Sequence, residues 1–433
     1  MPVAFLFSSF FGLPFDASAE EPASRAVALH IPSGPLAGLI VYLSAGHGRL
    51  LHRTADGRPL AWSWQRDPRY GVREDEWTGD FVVEDLAGRL EQAGATVVTL
   101  RERDPRSVGF LVDDADAGFA VEGSGGWAGA DQAWGPGWRD LEDTARATWS
   151  FTAPGSGVWR VYARWVSSPD RSAEARYTVR SPTRDEVWTI DQRRHGGIWW
   201  PIGTVELAEG QNAEVLLDGA GGRLSADAVR IGGGSWAPGP GYEVAPLAEI
   251  APIHRQSSLG GPASLLWLDD GSESSDIRFR ARWATWASPT PEEAIFLSIH
   301  TNAGRGRGSE IYAGVERDPP LDPQPGSLSL AGAIVEALPA HLRLVAPGWP
   351  VDAVRLGDFS EVSPRWQHLP SALIEVGFHD HPTDARFLRD PAFRGAYAEA
   401  LVDAVARWRM GSAVIPDAFR PVVPGHPPGD RLP

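Results

Sequence analysis

GLIVYLSAGHG, residues 38–48, is a continuous apolar run that stops on a histidine set between two glycines. Short uninterrupted runs of this kind read as strands buried on both faces, as in a parallel sheet. Two further runs have the same form. Ala294 to Ile299 (AIFLSI) leads into His300-Thr301-Asn302, and Ser371 to Val376 (SALIEV) carries Glu375 just ahead of Gly377-Phe378. In an open parallel sheet, ligands bind outside the carboxyl ends of the strands. Two imidazoles and a carboxylate are therefore expected to converge at one spot.

Around the first run the pattern is β-α-β. The residues after Gly48, through Trp62, Trp64 and Gly71, read as irregular and polar. A helix is expected from about Asp80 to Ala93, with Val82, Leu86, Leu90 and Ala93 on one face. Gly94 stops it, and Ala95 to Leu100 (ATVVTL) is a second buried strand. Such a unit implies a right-handed crossover. Helix and buried-strand signals return late in the chain: helices over Ser275 to Ala287, Leu328 to Leu342 and Pro391 to Trp408, and a short strand over Ser309 to Ala313. Phe393, Tyr397, Leu401, Val405 and Trp408 share one face of the last helix.

Between these halves, from about Gly125 to Gly234, the period is two. In Val158 to Val166, Trp159, Val161, Ala163 and Trp165 face one side, and Arg160, Tyr162 and Arg164 the other. Ten of the 19 tryptophans fall between Trp127 and Trp236, so the block has its own packing chemistry and reads as an antiparallel sandwich. The expected fold class is α/β: a mostly parallel sheet flanked by helices, interrupted by an inserted antiparallel β-sandwich. The expected boundaries are 37–107 plus 250–411 for the α/β domain, 120–235 for the insert, 1–36 for an N-terminal arm and 412–433 for a Pro-rich tail. The 433 residues accommodate this, since a domain takes ~150 residues.

Bulk properties exclude several classes. A net charge of -16 argues against a nucleic-acid binder and against attachment by charge to an anionic membrane. The absence of cysteine rules out disulfides, thiolate metal sites and cysteine nucleophiles. Any transition metal must be held by histidine and carboxylate. Val3 to Phe15 is apolar and Ala17-Ser18-Ala19 resembles a cleavage site, but no basic residue precedes the run. This is either an export signal, which would make the protein periplasmic or extracellular, or an N-terminal arm. No apolar stretch is long enough for a transmembrane helix.

Two imidazoles and one carboxylate are a usual ligand set for catalytic zinc, which lowers the pKa of a bound water to ~7. A second carboxylate, not a ligand, can then carry the proton to the leaving amine. The carboxylates on hand are Glu375 and the group Glu74, Asp75 and Glu76. Taken singly each has a plainer reading. A histidine at a strand end is commonly a hydrogen-bonded structural residue, and Glu74 to Glu76 alone would be a solvated charge run. Glu375 is harder to dismiss, because a carboxylate between Ile374 and Val376 on a buried strand costs several kcal/mol unless paired or ligated.

The order of these elements resembles the zinc-dependent N-acetylmuramoyl-L-alanine amidases of the type-3 kind. The likeness rests on Gly46-His47-Gly48, Val98-Thr99-Leu100-Arg101, Arg280 to Ala284, Ser298-Ile299-His300-Thr301-Asn302-Ala303 and Leu373-Ile374-Glu375-Val376-Gly377-Phe378. Ser44-Ala45 stands where the family usually has aspartate-proline. The resemblance implies zinc held by His47, His300 and a glutamate before the first helix, either Glu74 or Glu76, with Glu74 preferred from its context. It implies Glu375 as the catalytic carboxylate and peptidoglycan as substrate, cut between N-acetylmuramic acid and L-alanine. Alternatives are a catalytically inactive cell-wall or polysaccharide binder, and a zinc amidohydrolase acting on another amide. The inserted block resembles the golvesin C-terminal-like domain through Ile190-Asp191-Gln192, Trp200 with Ile202-Gly203, and Ala226-Asp227-Ala228-Val229-Arg230. Its tryptophans suit either glycan contact or core packing.

Overall fold

The computed structural model describes residues 26–30, 32–53, 59–104, 109–129, 132–182, 184–233, 259–262, 265, 273–288, 290 and 293–411. The proposed export signal, residues 234–258 with Trp236, and the Pro-rich tail lie outside them. Among the described residues no helix is long and apolar enough to cross a membrane.

A six-stranded sheet forms the centre. Its strands are β1 (Ile40–Ala45), β2 (Thr96–Thr99), β3 (Ala294–Asn302), β4 (Glu310–Gly314), β5 (Arg355–Gly357) and β6 (Ser371–Phe378), and their spatial order is β5-β4-β6-β3-β1-β2. The pairings β2·β1, β1·β3, β3·β6 and β4·β5 are parallel, while β4·β6 is antiparallel. The sheet is thus mixed, with parallel pairing dominant. Both faces are covered, which is why its strands read as unbroken apolar runs. Val41, Leu43, Ile295, Leu297, Ile299, Ala372 and Ile374 point into one core together with Phe81, Leu90, Ile334, Tyr397 and Leu401. Ile40, Tyr42, Phe296 and Leu373 point into the other, with Phe279, Trp283 and the sandwich tryptophans.

The helices are α1 (Glu74–Asp80), α2 (Ala87–Gln92), α3 (Glu273–Ala287), α4 (Ser327–Leu342), α5 (Pro382–Leu388) and α6 (Pro391–Arg409). α1 and α2 are one rod joined through a π-helical turn, Phe81–Leu86. The expected start near Asp80 is therefore about six residues late. Periodicity begins at Phe81, but the first turn is acidic, and Glu74, Asp75 and Glu76 suit the positive end of the helix dipole. Gly94, at φ 100°, ends the rod where expected, and a side chain there would strike the Ser33 carbonyl.

Two more expectations need correcting. The stretch after Gly48 is not irregular: Arg49–Arg53 and Pro59–Trp64 pair as an antiparallel hairpin. The sandwich begins before residue 120, because Gly109–Val112 pairs with Val229–Gly232. The strand pairings within the insert are antiparallel, as expected, and Ala26–His30 of the N-terminal arm adds to its six-stranded sheet in parallel with Arg184–Ile190. Three sheets of six, four and three strands make up this part. Trp149, Trp159, Trp165, Trp199 and Trp200 are all buried in it, and core packing is their role. Trp134 and Trp188 are partly buried, and Trp127 is 56% exposed.

The sandwich is sewn to the central domain. Arg230 and Tyr162 both reach Glu102, Arg230 at 2.9 Å, and the Arg160 amide donates to Asp104 at 3.1 Å. The Trp199 amide donates to the Leu259 carbonyl at 2.8 Å, and Trp283 Nε1 to the Gly260 carbonyl at 2.9 Å. Tyr162 sits on the strand face that alternation assigned to the polar side; it is buried because that face meets the central domain.

Candidate metal centre

The turn after β1 sets the first ligand. The Gly46 amide donates to the Ile299 carbonyl at 2.8 Å, holding the turn against β3. A β-carbon on Gly46 would lie 2.5 Å from the His300 ring, so only glycine lets the two histidines approach. His47 itself is left-handed, at φ 51°, a strained conformation of the kind found at functional sites. Its carbonyl accepts from Arg101 NH2, and Thr78 Oγ1 donates to the Gly46 carbonyl at 2.7 Å. Asp75 ties down the return of the hairpin, accepting from the Gln65 and Arg66 amides at 2.7 and 2.8 Å.

His47, Glu74 and His300 meet here, all buried, with their ligand atoms within 4.8 Å of one another. Glu74 Oε1 lies 3.4 Å from His47 Nε2 and 3.3 Å from His300 Nδ1. The two rings are 5.1 Å apart and perpendicular. Ligands ~2.0–2.1 Å from a tetrahedral zinc stand ~3.3–3.4 Å from each other. The two measured edges match that spacing, so the donor set fits zinc. Glu76, the alternative, points away: its side chain is 52% exposed and pairs with Arg73 at 3.6 Å.

Burial works to raise the Glu74 carboxyl, but the His47, His300 and His379 imidazoles outweigh it and pull it down to about 2. Glu375 goes the other way. It lies in register with His300 on the adjoining strand and is 7% exposed, and its Oε2 has no hydrogen-bond partner. Burial, aided by the nearby Glu74, Glu310 and Glu361 charges and opposed by His300, pushes it up to about 8. A buried carboxylate with a raised pKa and a free oxygen is equipped to accept and release a proton near neutrality.

Three residues around this cluster escaped the sequence reading. Glu361, on the segment between β5 and β6, brings Oε2 to 2.9 Å from His300 Nε2. Burial opposes its ionisation, but His300 and Arg280 hold it far below the usual carboxylate range. His300 is in turn raised well above its ordinary value, burial being overcome by Glu361, Glu74 and Glu375. His379 follows β6 directly, bonded to Thr301 Oγ1 at 2.9 Å and 4.0 Å from Glu74 Oε2. Arg66 leaves the hairpin with Nε 3.9 Å from Glu74 Oε2 and NH2 3.4 Å from His47 Nε2. His379 was findable as one more ionisable group at the end of the third apolar run. Glu361 and Arg66 lie in stretches without periodicity, where nothing marks them.

Comparison with known proteins gives two matches to family models. Residues 268–407 match the N-acetylmuramoyl-L-alanine amidase model, and residues 110–233 match the golvesin C-terminal domain model. A xanthan lyase of Bacillus sp. (strain GL1) is 28% identical over 140 residues, covering 30% of this chain and 15% of that protein. The solved Paenibacillus xanthan lyase aligns with 23% identity and a TM-score of 0.28, over 30% of this chain and 13% of that one. The catalytic domain of CwlV, an N-acetylmuramoyl-L-alanine amidase from Bacillus (Paenibacillus) polymyxa var. colistinus, aligns with 19% identity and a TM-score of 0.25, over 30% of this chain and 64% of that one. The chain thus spans a small fraction of the xanthan lyases and just under two thirds of the CwlV domain.

Proposed function

We propose that this protein, whose residues 268–407 match the N-acetylmuramoyl-L-alanine amidase model and residues 110–233 the golvesin C-terminal domain model, is a zinc-dependent peptidoglycan hydrolase. The bond cut is the amide between N-acetylmuramic acid and L-alanine. The observation that carries this reading is the buried His47–Glu74–His300 cluster, with Glu375 beside it.

In this reading His47, Glu74 and His300 hold the zinc. Bound there, zinc supplies Lewis acidity to the scissile carbonyl and lowers the pKa of water. Glu375 takes the proton of the attacking water on its free carboxylate oxygen and delivers it to the departing alanine nitrogen. Arg101 and Thr78 keep the Gly46-His47 turn in place through their bonds to its two carbonyls. The domain plan that goes with this is 37–107 plus 250–411 for the amidase and an intervening golvesin-like sandwich. Export to the periplasm or the cell exterior follows from the substrate. Any glycan contact by the sandwich falls first to Trp127, the most exposed large aromatic among its described residues, ahead of Phe110.

Mass spectrometry of muropeptides released from purified cell walls tests the proposal. The zinc-loaded protein should free intact stem peptides with an N-terminal alanine, and the Glu375→Gln variant should not. Release of peptides cut elsewhere would move the assignment to another amide. No release by zinc-loaded protein would refute hydrolysis.

A further inference from the structure

His300 is gripped along both edges of its ring. On one edge Nδ1 faces Glu74 Oε1 at 3.3 Å, within the metal cluster. On the other, Nε2 lies 2.9 Å from Glu361 Oε2. Glu361 is not a loose surface acid: it is 3% exposed. Its second oxygen accepts from Arg280 NH1 at 2.8 Å. Arg280 is wholly buried, pairs with the equally buried Asp276 at 2.8 Å, and donates to Ser44 Oγ and the Ala45 carbonyl at 3.0 Å each. One connected network therefore ties α3, the end of β1, the β5–β6 segment and the imidazole.

A neutral imidazole carries one ring proton, and the nitrogen that keeps it cannot bind a metal. A carboxylate 2.9 Å from Nε2 favours the proton there through its charge, which leaves the Nδ1 lone pair for a cation shared with Glu74 and His47. Arg280 keeps Glu361 from turning away and neutralises part of its charge. A mobile acid in the same place would not fix the ring.

We propose that Glu361, braced by Arg280, is a positioning residue that sets His300 in the Nε2–H tautomer and so dedicates Nδ1 to the divalent cation. This rests on the zinc reading above and adds to it a residue outside the ligand set. Outer carboxylates of this kind typically change metal affinity ~10–100-fold.

Zinc affinity of the full chain, measured by competition with a fluorescent chelator, tests this with wild type, Glu361→Gln and Glu361→Ala. Glu361→Ala should bind zinc ~10–100-fold more weakly, with Glu361→Gln between the two. The glutamine retains one acceptor oxygen and nearly the same volume, so it carries the test if the alanine variant does not fold. Long-range ¹H–¹⁵N correlation on histidine-labelled, zinc-loaded protein should place the His300 proton on Nε2 in wild type. Equal affinity in folded wild type and Glu361→Gln, or a wild-type His300 proton on Nδ1, overturns the proposal while leaving the zinc reading intact. A wild-type chain that takes up no zinc overturns both.

Discussion

Glu375 and His300 occupy matched positions on adjoining parallel strands, the carboxylate buried and the imidazole part of the candidate metal cluster. Replacing Glu375 by glutamine should lower muropeptide hydrolysis ~100-fold or more without loss of zinc, because the proton carrier goes and the ligands stay. Turnover and bound zinc measured on the same preparation check this.

The same carboxyl makes the metal-free protein pH-sensitive. Its folded pKa is raised to about 8, above the unfolded value of 4.5. Between those two pH values the folded state holds more protons than the unfolded state, so stability contributed by this group falls as pH rises. Melting in chelator should therefore show Glu375→Gln equal to wild type near pH 4.5 and higher-melting near pH 8. A variant that melts lower than wild type at pH 8 would contradict this.

Zinc content separates Glu74 from Glu76. His47→Ala, Glu74→Gln and His300→Ala should each lose stoichiometric zinc, read by elemental analysis. Glu76→Gln should retain it and shift stability by no more than about 0.5 kcal/mol, as expected for an exposed residue paired only with Arg73.

Gly46→Ala should disable the site more than the fold. The added methyl meets the His300 ring at 2.5 Å, so the imidazole must leave its place. Overpacking of this sort costs about 1–3 kcal/mol. Zinc affinity should drop while the far-ultraviolet dichroism stays that of wild type.

The sandwich and the central domain should unfold together. Glu102 and Arg230 form a buried ion pair across their junction, and one apolar core runs from Trp149 through Trp165 to Phe279 and Trp283. Glu102→Ala leaves a buried guanidinium short of its partner, a change that costs about 3–5 kcal/mol. Calorimetry should show one transition in both proteins, lowered in the variant; two separate transitions in wild type would refute the shared core.

What the sequence disclosed follows from how each feature is encoded. β1, β3 and β6 are written as unbroken apolar runs because both faces of the sheet are covered, and each run ends on the group it presents. The order of those strands in the sheet is not written locally, and neither is the antiparallel seam between β4 and β6. The start of α1 was hidden because its first turn is acidic and its buried Glu74 looks like any solvated glutamate. The hairpin over Arg49–Arg53 and Pro59–Trp64 lacks strict alternation. Glu361 is visible only in three dimensions: its meaning comes from Arg280 and His300, which lie far from it in the chain.

His47, just past the end of β1, and His300, on the neighbouring β3, are separated in sequence by more than half the chain, including residues 109–233 of the sandwich. β3 slots between β1 and β6, so the sheet cannot close its middle until the last third of the polypeptide is in place. Contacts of such long separation form slowly. Any intermediate that has folded the sandwich but not captured β3 would hold one histidine and one glutamate and no second imidazole. Such a species would lack the His47–Glu74–His300 cluster, so the candidate metal centre is complete only once the middle of the sheet has closed.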